Sequence, residues 1–139
     1  MHPRFLSWDL LMEFRVYGKP ATAGSKRAFV NRKTMRAIVV DDAKHGRPWR
    51  HAVQAAAMEH CAGKPLWNGP VALGLEFLFE RPKGHFGTGA NAGRVKASAP
   101  RCHTTKPDLT KLVRAVEDAL TKVVWKDDSL VCWHHDRPV

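Results

Sequence analysis

The chain is short of acidic residues and cysteines, and it has no long apolar run. It carries 13 acidic residues against 23 lysines and arginines, a net charge of +10. Its three cysteines are widely spaced and odd in number, which argues against a disulfide framework and indicates reduced thiols. No apolar run is long enough for a membrane span, and the first ten residues, MHPRFLSWDL, lack the features of a signal peptide. We therefore expect a cytoplasmic protein that does not enter a membrane.

The shortage of acid is concentrated in two blocks of the sequence. No acidic residue lies between Glu13 and Asp41 or between Glu80 and Asp108, although both blocks are rich in lysine and arginine. A solvated surface normally mixes the two signs, so these blocks predict contacts with the phosphates of a nucleic acid. From these blocks and the residue just beyond the second, the residues expected to bind DNA are Lys19, Lys26, Arg27, Arg81, Lys83, Arg94, Lys96, Lys106 and Lys111.

The hydrophobic pattern predicts one domain of mixed structure. A length of 139 residues fits a single domain. The regular pattern begins at Met12, so we expect residues 1–11 to be an irregular N-terminal extension and residues 12–139 to be the domain. The predicted elements are a strand from Phe14, a hairpin of strands at 28–30 and 38–40, a helix at 48–61 and a strand at 71–80. Residues 84–105 show no period and predict a DNA-facing loop that orders on binding.

The stretch 106–131, KPDLTKLVRAVEDALTKVVWKDDSLV, holds the carboxylates of interest. It predicts a helix over 109–122, with Asp108 at its start and the Asp127-Asp128 pair beyond its end. Capping and turn formation account for each carboxylate alone, but together they suit Mg²⁺, which takes hard oxygen ligands and needs only one or two carboxylates. A cation at Arg114 or Lys111 can neutralise charge on a bound phosphate. The sequence therefore predicts a magnesium-dependent phosphodiesterase site, with Asp118 outside it on the surface.

The same stretch resembles the RusA-type Holliday junction resolvases, in the form common in bacteriophages. KPDLTKLVRAVEDAL followed by VVWKDDSLV carries the resemblance, and GKPATAGSKRAFV and RPKGHFGTG…HTTKPD extend it over nearly the whole chain after Met12. It implies a small α+β domain in which a mixed sheet packs with two main helices. It also implies a homodimeric endonuclease that uses Mg²⁺, or Mn²⁺ in its place, to nick opposing strands of four-way and other branched DNA. Such enzymes serve recombination and repair in a bacterial or phage-infected cell.

The resemblance also implies roles for individual residues of the site. Asp108 matches the first metal-binding aspartate and Asp128 the last. Beyond what the resemblance implies, we expect Asp127, beside Asp128, to be catalytic as well. Arg114 stands where the family has an essential lysine, and an arginine keeps the charge but cannot donate a proton at neutral pH. The family pattern reads Asp-x-Asp at the helix start, whereas Thr110 occupies the second of these positions here. Either Asp127 or His103 is then expected to complete the site, or the metal is held weakly.

Two other interpretations remain open at this point. The chain could keep the fold and bind branched DNA with little or no cleavage, which the threonine at position 110 favours. It could also be a small zinc-binding module, although the candidate ligands match no compact Cys-x-x-Cys spacing. Those candidate zinc ligands are Cys102, His103, Cys132, His134 and His135.

Overall fold

The computed structural model describes residues 12–24, 26–41 and 46–134, and the expected extension at 1–11 lies outside them. The elements in chain order are β1 (Lys26–Asn31), β2 (Arg36–Asp41), α1 (Gly46–His60), β3 (Val71–Leu73), α2 (Leu109–Leu120) and β4 (Val131–His134). Single 3-10 turns occur at Lys83–His85, Gly89–Asn91 and Asp128–Leu130. Two helices with small antiparallel and parallel sheets confirm the predicted α+β domain. Within the described residues, no helix has the length and apolarity needed to cross a membrane.

The core lies where the two helices pack against each other. Trp49, Val53 and Ala57 recur every four residues on α1, so they share one face, and all three are buried. The facing side of α2 buries its aliphatic residues, and Trp125 completes the cluster from the turn beyond the helix. A long-range hydrogen bond, from Gln54 Nε2 to the carbonyl of Ala119 at 3.2 Å, also joins the helices. The buried apolar faces of the two helices therefore pack together and hold α2 in place.

Strands β1 and β2 form an antiparallel hairpin, as the sequence predicts, but a longer one. The ladder runs from Lys26 opposite Asp41 to Asn31 opposite Arg36. At the turn, the Lys33 amide donates to Asn31 Oδ1 at 3.0 Å, and the Met35 amide donates to the Asn31 carbonyl at 2.7 Å. Such a side-chain-to-backbone bond stabilises a tight turn. The hairpin is a sheet of its own among the described residues.

Strands β3 and β4 form a second, parallel sheet, and here the predicted strand at 71–80 is only partly right. The ladder spans Val71 to Leu73, paired with β4 between Val131 and His134. Beyond it, residues 74–80 keep the alternation of half-buried and exposed side chains without ladder pairing. The same holds for the strand expected from Phe14, which packs on the core without a ladder. Alternating apolar and polar residues indicate which side of a segment is buried. Strand pairing also requires the backbone of a neighbouring segment to lie alongside.

The loop at 84–105, which the sequence predicts to face DNA and to order on binding, has backbone pairings of its own. The Gly87 amide donates to the Arg94 carbonyl at 2.9 Å, and the Lys96 amide donates to the His85 carbonyl at 2.8 Å. A Cβ added at Gly87 would lie 2.7 Å from the Asn91 carbonyl oxygen, so the fold of the loop requires glycine there. Local backbone hydrogen bonds therefore hold this loop, although its sequence has no regular period.

Candidate active site

Asp108 stands at the N-cap position of α2 with an extended backbone (φ −70°, ψ 138°). Its carbonyl accepts the first helical bond, from the Leu112 amide at 3.0 Å, but its side chain caps no helical N–H. The carboxylate is 57% exposed, and Lys111 Nζ lies 3.5 Å from its Oδ2. The predicted N-cap position is therefore correct, and the carboxylate oxygens are not used for capping.

The segment after α2 is a tight turn built on Trp125. That side chain is 2% exposed, and its Nε1 donates to Thr121 Oγ1 at 3.2 Å. The Lys122 amide donates to the Trp125 carbonyl at 2.7 Å, and Lys122 adopts a positive φ of 65° to close the turn. Backbone bonds on both sides of Trp125 also tie the turn to Trp67, since the Trp67 amide donates to Val124 and its carbonyl accepts from Lys126. The paired aspartates thus follow directly on a well-fixed support.

The two aspartates of the pair differ in what they do locally. Asp127 Oδ1 accepts a hydrogen bond from the Ser129 amide at 2.9 Å and so caps the short turn Asp128–Leu130. Hydrogen bonding from Ser129 holds the pKa of Asp127 below its ordinary value, with smaller contributions from Asp128 and Lys122. Asp128 is exposed at the first position of that turn. Asp127 therefore has a structural role, and Asp128 is the better placed of the two to meet a ligand.

The exposed side of α2 carries two cations on the same surface as Asp108. Lys111 and Arg114 are exposed, whereas Leu112 and Val116 between and beyond them are buried. Arg114 lies six residues after Asp108, which is about 9 Å along the helix axis. The spacing of three residues puts Asp108, Lys111 and Arg114 on neighbouring positions of one surface. Thr110 is exposed at the same end of the helix and offers a neutral hydroxyl.

His103, one of the two expected third ligands, is engaged within the loop. Its ring stacks on Phe79 with centroids 4.2 Å apart, and its Nε2 lies 3.2 Å from the Lys106 carbonyl oxygen. A carbonyl can only accept, so Nε2 carries the proton in this arrangement. The other expected third ligand, Asp127, is bonded to Ser129 as described above. Both side chains therefore stabilise the backbone on either side of the candidate site.

Among the described residues, no three His, Cys, Asp or Glu side chains are grouped so that they could hold a metal ion. The structure thus does not gather Asp108, Asp127 and Asp128 into a three-ligand centre. It does not gather Cys102, His103, Cys132 and His134 into a zinc site either, while His135 lies outside the described residues. His134 Nε2 instead contacts Glu117 Oε1 on α2.

The predicted DNA-binding residues fall into four groups. Lys19, Lys83, Arg94, Lys96 and Lys106 are exposed, as a contact with phosphate requires. Arg81 is half-buried and donates to the carbonyls of Pro100 and Arg101 at 2.8 and 3.3 Å, so it fixes the loop. Lys111 pairs with Asp108. The side chains of Lys26 and Arg27 lie outside the described part of the structure, although their backbone belongs to β1.

Two features of the structure were not among the predicted sites. The hairpin presents the exposed cations Arg32, Lys33 and Arg36, which the acid-free composition of this block could have indicated. A pocket between α1 and α2 is lined by Ala23, Gly46, Arg47, Trp49, Arg50, Ala115 and Asp118. Asp118 is therefore half-buried beside this pocket, which corrects the expectation of a surface position. No signal in the helical pattern indicated the pocket, because it depends on how two distant helices meet.

Comparison with known proteins links this geometry to a family. The chain matches the family described as Endodeoxyribonuclease RusA over residues 18–139, a range that includes both helices and all the candidate carboxylates. It is also similar to the uncharacterized protein YqaN of Bacillus subtilis (strain 168). That similarity amounts to 29% identity over 123 residues, covering 86% of this chain and 81% of YqaN. No solved structure matches the chain.

Proposed function

Since this chain belongs to the RusA endodeoxyribonuclease family, we propose that it is a metal-dependent nuclease that resolves four-way and other branched DNA by paired nicks. Family membership supports the coarser statement, a nuclease acting on DNA. The observation that carries the finer proposal is the exposed Asp108 carboxylate, which stands at the N-cap position but makes no capping bond. A carboxylate that is held at the start of a helix and makes no capping bond is suited to ligand binding.

The donor chemistry of the site fits Mg²⁺, with Mn²⁺ as a substitute. Asp108 and Asp128 are both exposed carboxylates, and Mg²⁺ prefers such hard oxygens while it keeps several of its waters. These two residues would hold the ion. When bound, the ion would supply a Lewis acid for the phosphate and lower the pKa of a water molecule. The neutral Thr110 contributes no third charge, so we expect weaker metal binding than a three-carboxylate site would give.

The remaining chemistry belongs to the cations of α2. Arg114 is exposed on the same surface as Asp108, and its guanidinium can hold two oxygens of the scissile phosphate. It stabilises negative charge but cannot protonate the leaving oxygen at neutral pH. Lys111 neutralises Asp108 in the absence of substrate and can turn to a phosphate when DNA is present. These residues therefore orient the phosphate and offset its charge.

Paired nicks require two sites with opposed orientation. A homodimer with a two-fold axis supplies them, because each protomer then presents the same surface to one of two equivalent strands. We include this homodimer in the proposal. Sedimentation of the purified protein would test it, since a monomer at the concentrations used for cleavage would contradict paired nicking by one complex.

The decisive experiment compares cleavage of a four-way junction with cleavage of a linear duplex of the same sequence, in Mg²⁺ and in EDTA. We expect cutting of the junction alone, and only with the metal. Asp108→Asn and Asp128→Asn should each lower the cleavage rate by about 100-fold or more, the scale of losing one charge-stabilising group. Junction binding measured in Ca²⁺ should remain. Glu59→Gln, an exposed acid on α1, is the matched control and should cut normally.

Two outcomes would contradict parts of the proposal. Equal cutting of junction and duplex would leave a nuclease without the preference for branched DNA. Normal cleavage by both Asp108→Asn and Asp128→Asn would contradict the assignment of the metal site to these residues.

A second candidate is a branched-DNA-binding protein of the same fold that cuts poorly or not at all. Thr110 favours it, as does the lack of a three-ligand cluster among residues 12–24, 26–41 and 46–134. Tight junction binding without cleavage in Mg²⁺ or Mn²⁺ would select this candidate.

A further inference from the structure

The β1–β2 hairpin combines an extended shape with slight attachment to the core. Its six-residue strands span about 20 Å at the usual rise of 3.4 Å per residue. Among the described residues, the hairpin makes few contacts with the other helices and strands, in contrast to the α1–α2 and β3–β4 pairs. Val30, near its far end, leaves 57% of its surface exposed. The far end of the hairpin is therefore exposed.

The charge of the hairpin is of one sign over most of its length. No acidic residue occurs from Lys26 to Val40, and Asp41 is the last residue of β2, away from the turn. Arg32 and Lys33 lie in the turn and Arg36 directly after it, all exposed. Since the bond from Lys33 to Asn31 fixes the turn, these cations are presented at its far end. This arrangement suits a polyanion with regularly spaced charges.

Met35 is the unusual residue of the turn. Its side chain is 77% exposed, although methionine is normally buried. Its backbone adopts φ of 52°, a conformation that asparagine or glycine takes more readily. Neither burial nor backbone preference thus explains a methionine here. An apolar, polarisable side chain at the end of a cationic hairpin can pack against a base face or insert at a base step.

We propose that the β1–β2 hairpin is a DNA-binding ribbon, in which Arg32, Lys33 and Arg36 contact phosphates of one arm and Met35 packs against a base at the branch point. A two-stranded ribbon fits the DNA major groove, which is about 12 Å wide. At a branch point, a base can lack a stacking neighbour on one side, so an apolar contact there costs little unstacking. This proposal rests on the proposed function, because it assumes a branched DNA substrate.

The first test separates the cations of the hairpin from general positive charge. The Arg32→Ala/Lys33→Ala double variant removes two charges from the turn, and Arg50→Ala/Lys64→Ala removes two exposed charges elsewhere. Binding to junction and to duplex is measured by fluorescence anisotropy in EDTA over a range of salt concentrations. The hairpin variant should bind both DNAs at least tenfold more weakly and reduce the salt slope by about 2, one for each lost phosphate contact. The control should keep the wild-type slope.

The second test isolates Met35. Met35→Asn removes the apolar contact while it suits the positive φ, so the hairpin itself should become no less stable. We expect the variant to keep its affinity for duplex, lose several-fold in affinity for the junction, and no longer perturb the fluorescence of 2-aminopurine at the branch point. Met35→Leu should restore both signals. If Met35 served only to form the turn, Met35→Asn would bind the junction as tightly as the wild-type protein does.

These outcomes are independent of whether the protein cuts DNA. Binding in EDTA reports on the hairpin even if Asp108→Asn and Asp128→Asn show that the nuclease proposal is wrong. Equal losses of DNA affinity for the hairpin and control double variants would contradict a DNA-binding role for the hairpin. An unchanged salt slope for the hairpin variant would contradict it as well. An unchanged junction preference for Met35→Asn would overturn the contact at the branch point.

Discussion

The α2 stretch and the β1–β2 hairpin differ in charge, packing and attachment. The stretch from Asp108 to Asp128 holds its carboxylates on a helix whose inner face is buried and on a turn built around Trp125. The turn end of the hairpin is exposed and cationic, and the hairpin is held by its own ladder and turn. A reaction centre needs positions fixed to a fraction of an ångström, whereas a phosphate contact tolerates adjustment. The difference therefore matches a division between chemistry and substrate binding.

The largest expected effect tests whether the two regions differ in stability. Trp125→Ala removes a buried side chain and its bond to Thr121, so the free energy of unfolding should fall by about 3–5 kcal/mol. Met35→Ala should change it by less than about 0.5 kcal/mol, as is usual for an exposed site. Urea unfolding followed by tryptophan fluorescence, with circular dichroism as a second probe, measures both. Similar losses for the two variants would contradict the comparison.

The next effect tests the division of roles through two arginines. Arg114→Ala should lower the cleavage rate at saturating DNA by about 100-fold, because one group that stabilises phosphate charge is lost. Arg114→Lys should recover much of that rate. Arg36→Ala should instead weaken DNA binding and leave the saturated cleavage rate unchanged. If Arg36→Ala slows saturated cleavage as much as Arg114→Ala does, the roles are not divided in this way.

A smaller effect compares one kind of bond in both regions. Asp127 Oδ1 accepts from the Ser129 amide at 2.9 Å, and Asn31 Oδ1 accepts from the Lys33 amide at 3.0 Å. Asp127→Ala should lower the global free energy of unfolding, since its turn is joined to the core. Asn31→Ala should mainly speed hydrogen exchange of the hairpin amides, because the hairpin can open alone. Equal global losses would show that the hairpin unfolds together with the core.

The smallest expected effect is a gain. Thr110→Asp adds a carboxylate at the exposed start of α2, so cleavage should reach half its maximal rate at a lower Mg²⁺ concentration. A titration of cleavage rate against Mg²⁺ measures it, and Thr110→Asn is the matched control without charge. A rise in the Mg²⁺ requirement of Thr110→Asp would place the ion away from this end of the helix.

The helices and the hairpin were predictable because their patterns are local. The spacing of Trp49 and Val53 marks the buried face of α1, although Ala56 and His60, which continue that spacing, are half-buried and exposed while Ala57 is buried. The ladder of β3 was not predictable, since Val71–Leu73 pairs with a strand far along the chain. Likewise, the order of the 84–105 loop comes from pairings such as Gly87 with Arg94, which leave no periodic signal.

The sequence indicated candidate residues for the site but not their local roles. The sequence indicated Asp108 and the Asp127-Asp128 pair, but it could not show that Asp108 leaves the helix uncapped while Asp127 caps a turn. Both outcomes depend on side-chain rotation at positions where two hydrogen-bonding choices compete. The same limit applies to Arg81, whose charge suggested DNA and whose donors instead reach Pro100 and Arg101.

The contacts that close the core have a consequence for folding during synthesis. Gln54 bonds to Ala119, 65 positions away, and the Cys132 thiol contacts the Val71 carbonyl, 61 positions away. Contacts of such long range form slowly and require the later segment to have emerged from the ribosome. The hairpin needs only its own residues and can form in microseconds while the rest is still being made. A nascent chain would therefore form and lose the cationic hairpin many times over several seconds before the carboxylates of α2 have a fold to hold them.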